Sequence, residues 1–229
     1  MTRVKSLGLG LRLGGRAMLL PSTLGGLALF VVSAAVAGVV LHQHDALTAA
    51  DRAASLVARL VVPFLAFFVV GAALRRRGLD SAVWPAAQFG VARGDLALGL
   101  VLAAGLVAAA VAACCGLLGL FTAHAGSPGV YDDALTTAGV LALGAGAYVG
   151  WFAFGACFLP QGRGRHVVLA LDLTLGAGAG VLAWPWPASH LAALVGGSRV
   201  AGLAPSASSV LLLGGALALS LLAALRIGR

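Results

Sequence analysis

Long apolar runs repeat along this chain, and they constrain its fold more than any other feature. Several of them reach or exceed the roughly 20 residues that an α-helix needs to cross the hydrocarbon core of a bilayer. With 61% hydrophobic and 10% charged residues and a mean hydropathy of +1.03, the chain has too little polar surface to cover a soluble globule. The sequence also lacks the short alternating segments of a transmembrane β-barrel. It therefore predicts an all-α, polytopic membrane protein.

The runs predict six transmembrane helices in a single transmembrane domain that covers residues 1–229. A basic amphipathic lead-in over residues 1–17 comes first. The spans are expected at about residues 18–41, 56–74, 96–123, 134–159, 166–184 and 206–225. Pro63 lies inside the second of these and predicts a kink there. A short apolar helix is expected at His190–Val195, in the connection before span six.

The basic residues are distributed unevenly between the connections, and this asymmetry predicts the orientation. With the N-terminus in the cytoplasm, the inner side holds Arg3, Lys5, Arg12, Arg16, Arg75, Arg76, Arg77, Arg93, Arg163, Arg165, Arg226 and Arg229. Only Arg52, Arg59 and Arg199 then fall on the outer side. We therefore expect both termini to be cytoplasmic. The net charge of +8 sets topology in this interpretation and does not indicate nucleic-acid binding.

The connection between spans two and three, Leu74–Gly99, is longer than a simple turn requires. Its central part predicts a short amphipathic cytoplasmic helix, with Pro85 fixing the helix start just after Trp84. Two interpretations stay open: the helix docks a partner protein, or it lies on the lipid surface with its arginines at anionic headgroups. The candidate docking residues are Leu79, Val83, Trp84, Gln88, Phe89 and Arg93. Trp84 and Phe89 are the expected anchors, and Arg93 is expected to pair with an acidic rim or a headgroup.

Asp172 is the main charged residue within an apolar run. An intramembrane carboxylate is costly, so Asp172 is a candidate functional charge. In the other interpretation it lies near the interface and pairs with Arg163 or Arg165. Arg59 is expected to reach the outer interface, too far in depth to pair with Asp172.

The motifs of membrane enzymes and nucleotide-binding proteins are missing from the sequence. It contains no glutamate, no P-loop and no GxGxxG pattern, which argues against HExxH metalloproteases and against ATP or dinucleotide binding by this chain. His42, His44 and Asp45 are weak candidates for a metal site, because such a cluster is more typical of a solvated outer loop. The sequence therefore predicts no catalytic residue, no cofactor in this chain and no metal site.

The whole plan resembles that of the ABC-2 type permeases, the membrane subunits of ABC exporters. That plan comprises the lead-in, six spans with both ends inside, the helix between spans two and three and an outer helical segment before span six. Locally, Phe89–Gly99 resembles the family's segment after its coupling helix, and Pro187–Gly197 resembles its outer re-entrant or interfacial helix. Two departures stand out. The usual glutamate near the start of the coupling loop is missing, with Asp80 the nearest acid, and the outer loop between spans five and six is short.

The resemblance implies a transport subunit that is no enzyme itself. It would pair with a second copy of itself or a similar permease among membrane lipids. Each copy would bind a separately encoded ABC ATPase, which carries ATP and Mg²⁺. Closure of the ATPases would push on Leu79–Phe89 and switch the bundle between inward- and outward-facing states.

Two other classes stay open. One is a structural membrane subunit of a larger complex that transports nothing. The other is a small secondary transporter, which would normally show mid-membrane polar residues and broken helices in matching halves. Asp172 is the only feature of the sequence that favours this class. Heavy use of Ala, Gly, Leu, Val and Arg is typical of a GC-rich bacterial genome, so the predicted location is a bacterial cytoplasmic (inner) membrane.

Overall fold

The computed structural model describes residues 3–42, 46–123, 130–176, 178 and 180–228, and its regular elements there are all helices. The α-helices are α1 (Arg3–Met18), α2 (Pro21–Leu41), α3 (Ala46–Leu56), α4 (Val62–Ala73), α5 (Leu79–Ala87), α6 (Arg93–Ala123), α7 (Val130–Gly155), α8 (Gly164–Leu175), α9 (Pro187–Leu194) and α10 (Pro205–Gly228). The predicted all-α class is confirmed.

Five helices of the described residues are long and apolar enough to cross a membrane. They are Pro21–Leu41, Ala49–Ala73, Arg93–Ala123, Tyr131–Gly155 and Pro205–Gly228. They match the predicted spans one, two, three, four and six, and they are compatible with a multi-pass membrane protein. The second span begins earlier than expected, because α3 continues into α4 through a π-helical turn, Val57–Val61. This turn precedes Pro63 directly, at the position of the predicted kink.

The predicted fifth span, residues 166–184, does not form one helix. α8 ends at Leu175 after 12 residues, which extend about 18 Å, whereas the hydrocarbon core is about 30 Å thick. A 3₁₀ turn at Val181–Ala183 and then α9 follow. The physical reason lies in the sequence GAGAG from residue 176. Each glycine inside a helix costs about 1 kcal/mol relative to alanine, and glycine offers no side chain for packing that would offset this.

One end of the bundle, which we call the basic end, carries Arg75–Arg77 after α4. α1 packs there on the first turns of α6: a Cβ atom on Gly10 would lie 2.9 Å from Cα of Gly99. The last turns of α10 lie beside the start of α6, because a Cβ atom on Gly94 would lie 2.9 Å from the carbonyl oxygen of Ala224. α1 and the C-terminal end of α10 therefore lie at the same end as α5.

α1 has the amphipathic character expected of the lead-in. Its buried face consists of Ser6, Gly10, Gly14, Ala17 and Met18, while Arg3, Lys5, Arg12 and Arg16 are all exposed. Small residues on the buried face allow its backbone to approach α6 closely.

The core of the bundle lies between α4, α6 and α7, where the large buried side chains include Leu65, Leu96, Tyr148 and Phe152. α2 and α10 lie outside this core. In the most apolar stretch of each helix, only 17% of the α2 residues and 22% of the α10 residues are buried. Their exposed faces are apolar, which is typical of helices that contact lipid or another membrane protein.

Candidate functional site

The first candidate site is α5. The buried face of this helix packs against the basic end of the bundle. Leu79 and Val83 are fully buried. The backbone N–H of Leu79 donates a hydrogen bond to the carbonyl oxygen of Ala156, at 3.3 Å. Just before the helix, a Cβ atom on Gly78 would lie 3.3 Å from the backbone nitrogen of Gly162. α5 is thus attached to the turn that links α7 to α8.

The predicted docking residues therefore divide into two groups. Leu79 and Val83 contact this chain's own core, so they hold α5 in place and are not available to a partner. Trp84 is 47% exposed, Phe89 is 84% exposed, and Gln88 is exposed as well. Of the predicted docking residues around α5, these three are open to a partner: Trp84 lies on the helix, and Gln88 and Phe89 lie in the turn just after it.

Pro85 differs from its predicted role, and Arg93 makes a contact within the chain. The Arg93 guanidinium carbon lies 4.5 Å from the centroid of the Trp84 ring, a cation–π contact. Its pairing with a partner's acidic rim or a lipid headgroup stays a prediction. Pro85 lies inside α5, which already begins at Leu79, and does not start the helix. Its ring removes one backbone donor near the end of the helix, which stops two residues later at Ala87.

The second candidate site is the carboxyl group of Asp172 on α8, which is 1% exposed. The Tyr148 hydroxyl on α7 donates a hydrogen bond to its Oδ2 atom, at 2.7 Å. The backbone N–H of Ala188 donates another to its Oδ1 atom, at 3.2 Å. Within the described part of the chain, Asp172 forms no ion pair with Arg163 or Arg165. The predicted interfacial pair is therefore wrong, because the carboxyl group points into the bundle.

Asp172 joins three elements, since Tyr148 lies on α7 and Ala188 is in the first turn of α9. The positive end of the α9 dipole thus faces the carboxyl group. Leu191 of α9 is fully buried, and a Cβ atom on Gly144 of α7 would lie 2.7 Å from its Cδ1 atom. The short helix predicted at His190–Val195 exists, and it inserts into the bundle.

His190 fixes α9 to the segments on either side of it. Its Nε2 atom lies 2.6 Å from the carbonyl oxygen of Trp184, and its Nδ1 atom lies 3.1 Å from the hydroxyl of Ser208 at the start of α10. A carbonyl oxygen only accepts, so Nε2 donates to Trp184, while the Ser208 hydroxyl can either donate to Nδ1 or accept from it. Both ring nitrogens are satisfied, which supports a structural role.

Arg59 and Asp172 line the same cavity, of about 200 Å³, together with Ser189 and residues around the end of α8. The two residues therefore lie nearer to each other than the expected difference in depth implies, because α8 is short and its end lies beside the π-helical turn that carries Arg59. Among the described residues the two side chains form no ion pair.

The predicted metal candidates lie mostly outside the described residues, because His44 and Asp45 are not among them. The Nδ1 atom of His42 lies 2.8 Å from the carbonyl oxygen of Ala123. Among the described residues, no group of three or more His, Cys, Asp or Glu side chains is placed to hold a metal ion.

Sequence reasoning missed Tyr148 and Ala188 as partners of Asp172. Tyr148 is one of only two tyrosines in the chain, and its position in an apolar run was the available signal, since a buried hydroxyl requires a partner. Ala188 acts through its backbone and leaves no signal.

Comparisons with protein-family models, curated proteins and solved structures find no match to this chain.

Proposed function

We propose that this chain is the permease subunit of an ABC-2-type exporter in a bacterial cytoplasmic membrane, driven by a separate ATPase subunit. The observation that carries the proposal is α5, a nine-residue helix between two candidate spans. It is anchored by Leu79 and Val83, while Trp84 on the helix and Phe89 in the turn after it are exposed. Exposed aromatics held by a packed helix are typical anchors of a protein interface. The resemblance in helix order supports an ATPase as the partner.

The contacts of α5 supply a route for the mechanical step. Leu79 and Gly78 contact Ala156 and Gly162 in the turn before α8. Trp84 contacts Arg93 in the first turn of α6. Movement of an ATPase against α5 would therefore act on α6 and α8 together. α8 in turn is linked to α7 and α9 through Asp172, so the bundle can rearrange as connected segments.

In this proposal the basic end faces the cytoplasm, as the distribution of arginines favours. The ATPase subunit would hold ATP and Mg²⁺ and would meet Trp84, Gln88 and Phe89. A second permease copy would contact an exposed apolar face of α2 or α10, both of which the chain itself leaves uncovered. Substrate would cross the membrane between the two copies.

One observation favours a secondary transporter instead, namely the interruption between α8 and α9 beside a buried carboxyl group. Two findings weigh against it. Asp172 already accepts hydrogen bonds from Tyr148 and Ala188. Moreover, the five candidate spans among the described residues are continuous helices, whereas inverted repeats would break a matching helix in the other half.

The proposal predicts that Trp84→Ala and Phe89→Ala each release the ATPase subunit. Truncation of an aromatic anchor costs about 2 kcal/mol or more, which is more than tenfold in affinity. The measurement is affinity purification of the tagged chain from membranes of its host, with quantification of any co-purifying subunit that carries Walker and ABC signature motifs and of its ATPase stimulation.

The matched control is Trp184→Ala, since Trp184 is also half exposed, at 50%, but does not belong to α5. It should retain the ATPase at the wild-type level. Absence of an ABC ATPase from the wild-type preparation would refute the proposal. Undiminished ATPase in both the Trp84 and the Phe89 variant, with correct membrane insertion, would refute α5 and the turn after it as the coupling element.

A further inference from the structure

A cavity of about 680 Å³ opens between α2, α4 and α8. Aromatic rings form one part of its wall and cationic groups form another; the principal residues are Phe30, Phe67, Phe68, Arg75, Arg76 and Arg165. Among the described residues that line the cavity, none is acidic. It thus combines an apolar interior with concentrated positive charge at the basic end.

Arg165 is the unusual residue of this cavity. It is only 5% exposed, and its Nε and Nη1 atoms are buried with no hydrogen-bond partner in the described part of the chain. Its guanidinium carbon lies 5.4 Å from the centroid of the Phe67 ring. A Cβ atom on Gly71 would lie 3.7 Å from Nη1. Buried arginines are normally paired with an acceptor, so the missing acceptor points to a ligand.

We infer that this cavity binds a phospholipid with an anionic headgroup, whose phosphate lies among Arg75, Arg76 and Arg165. Guanidinium groups donate paired hydrogen bonds to phosphate oxygens, and a phosphate in the cavity would supply the counter-charge that the buried guanidinium of Arg165 lacks in the described part of the chain. The aromatic wall takes part of an acyl chain, and partly exposed Phe64 at the rim leaves a path from the surrounding lipid. The inference does not depend on the transport function proposed above.

The charge pattern argues against a second copy of this chain as the occupant. A second copy seated in this cavity by a two-fold axis through it would bring the arginine cluster against its own copy. An anionic lipid instead supplies the complementary charge together with the apolar chain that the cavity accommodates.

The experiment uses the full chain, purified in a neutral detergent and titrated with phosphatidylglycerol or with phosphatidylcholine of identical acyl chains. Binding is measured by native mass spectrometry and by the lipid-dependent rise of the thermal midpoint. We expect phosphatidylglycerol to bind at least tenfold more tightly than phosphatidylcholine. Arg165→Gln and Arg76→Gln should each weaken phosphatidylglycerol binding about tenfold, since each removes one charge-assisted contact.

Two matched controls test the site itself. Arg163 and Arg77 are exposed neighbours of these residues and do not line the cavity, so Arg163→Gln and Arg77→Gln should bind within about twofold of the wild type. Arg76 is also exposed, so Arg76→Gln keeps the test decisive if Arg165→Gln fails to fold.

Three results would overturn the inference. Equal binding of the two lipids would show that the headgroup charge does not determine binding. Equal losses in the control variants would show that the attraction belongs to the general basic surface. Inorganic phosphate that competes as tightly as the lipid would show that the site takes a free anion rather than an amphiphile.

Discussion

At the scale of single residues, the carboxyl group of Asp172 ties α8 to its neighbours, and we predict different outcomes for two substitutions. Asp172→Ala leaves the buried Tyr148 hydroxyl and the Ala188 N–H without their acceptor, which costs about 1–3 kcal/mol for each unsatisfied group. Asp172→Asn keeps an acceptor for Ala188 and a polar partner for Tyr148. The thermal midpoint in detergent should fall markedly for Asp172→Ala and little for Asp172→Asn.

Activity separates this structural role from a functional charge. Asp132 is exposed in the first turn of α7, away from α5, and Asp132→Asn serves as the control for loss of a surface carboxylate. We expect Asp172→Asn to retain activity close to that of the control. An inactive but well-assembled Asp172→Asn protein would instead place Asp172 on a substrate or proton path.

At the scale of elements, close packing between two backbones seats α1 on α6. We predict that Gly10→Val loosens α1, because the new side chain would collide with the backbone around Leu96 and Gly99. Overpacking of this kind costs about 1–3 kcal/mol. Limited trypsin digestion in detergent should then cut faster at Arg12 and Arg16, which lie on α1.

Gly15→Val is the control for this prediction. It carries the same loss of helix propensity, but a Cβ atom on Gly15 meets nothing within 4 Å. Its digestion rate should stay at the wild-type value. If both variants are cut equally fast, helix propensity rather than packing holds α1 in place.

At the scale of the whole molecule, α1, α5 and the end of α10 lie at one end of the bundle, and the arginine distribution predicts that this end is cytoplasmic. After replacement of the three native cysteines, we predict that Ser81→Cys reacts with a membrane-impermeant maleimide only in permeabilised cells. Ser206→Cys, exposed at the start of α10, should react in intact cells. Ser189 is buried, so a cysteine at this position would not be accessible to the maleimide. Labelling of Ser81→Cys in intact cells would reverse the orientation.

The sequence by itself determined the features that depend on local composition and periodicity. These are the helical class, five long apolar helices, the amphipathic lead-in that became α1 and a short helix between the second and third spans. Burial of apolar area and the hydrogen bonding of a helix act along one stretch of chain, so hydropathy predicts them without knowledge of neighbours. The same local rule failed at residues 166–184, because a broken Gly/Ala-rich segment is as apolar as a continuous one.

Only the tertiary structure decided which side chains of these helices meet. Leu79 and Trp84 lie on one short helix, yet Leu79 is buried in the core and Trp84 is exposed. Asp172 meets Tyr148, 24 residues away in sequence, and Arg165 points into a cavity that α2 and α4 complete. The physical reason is that burial and hydrogen bonding of a polar group in a bilayer depend on which distant helix packs beside it. The spacing of residues along the chain therefore does not predict which helices pack together.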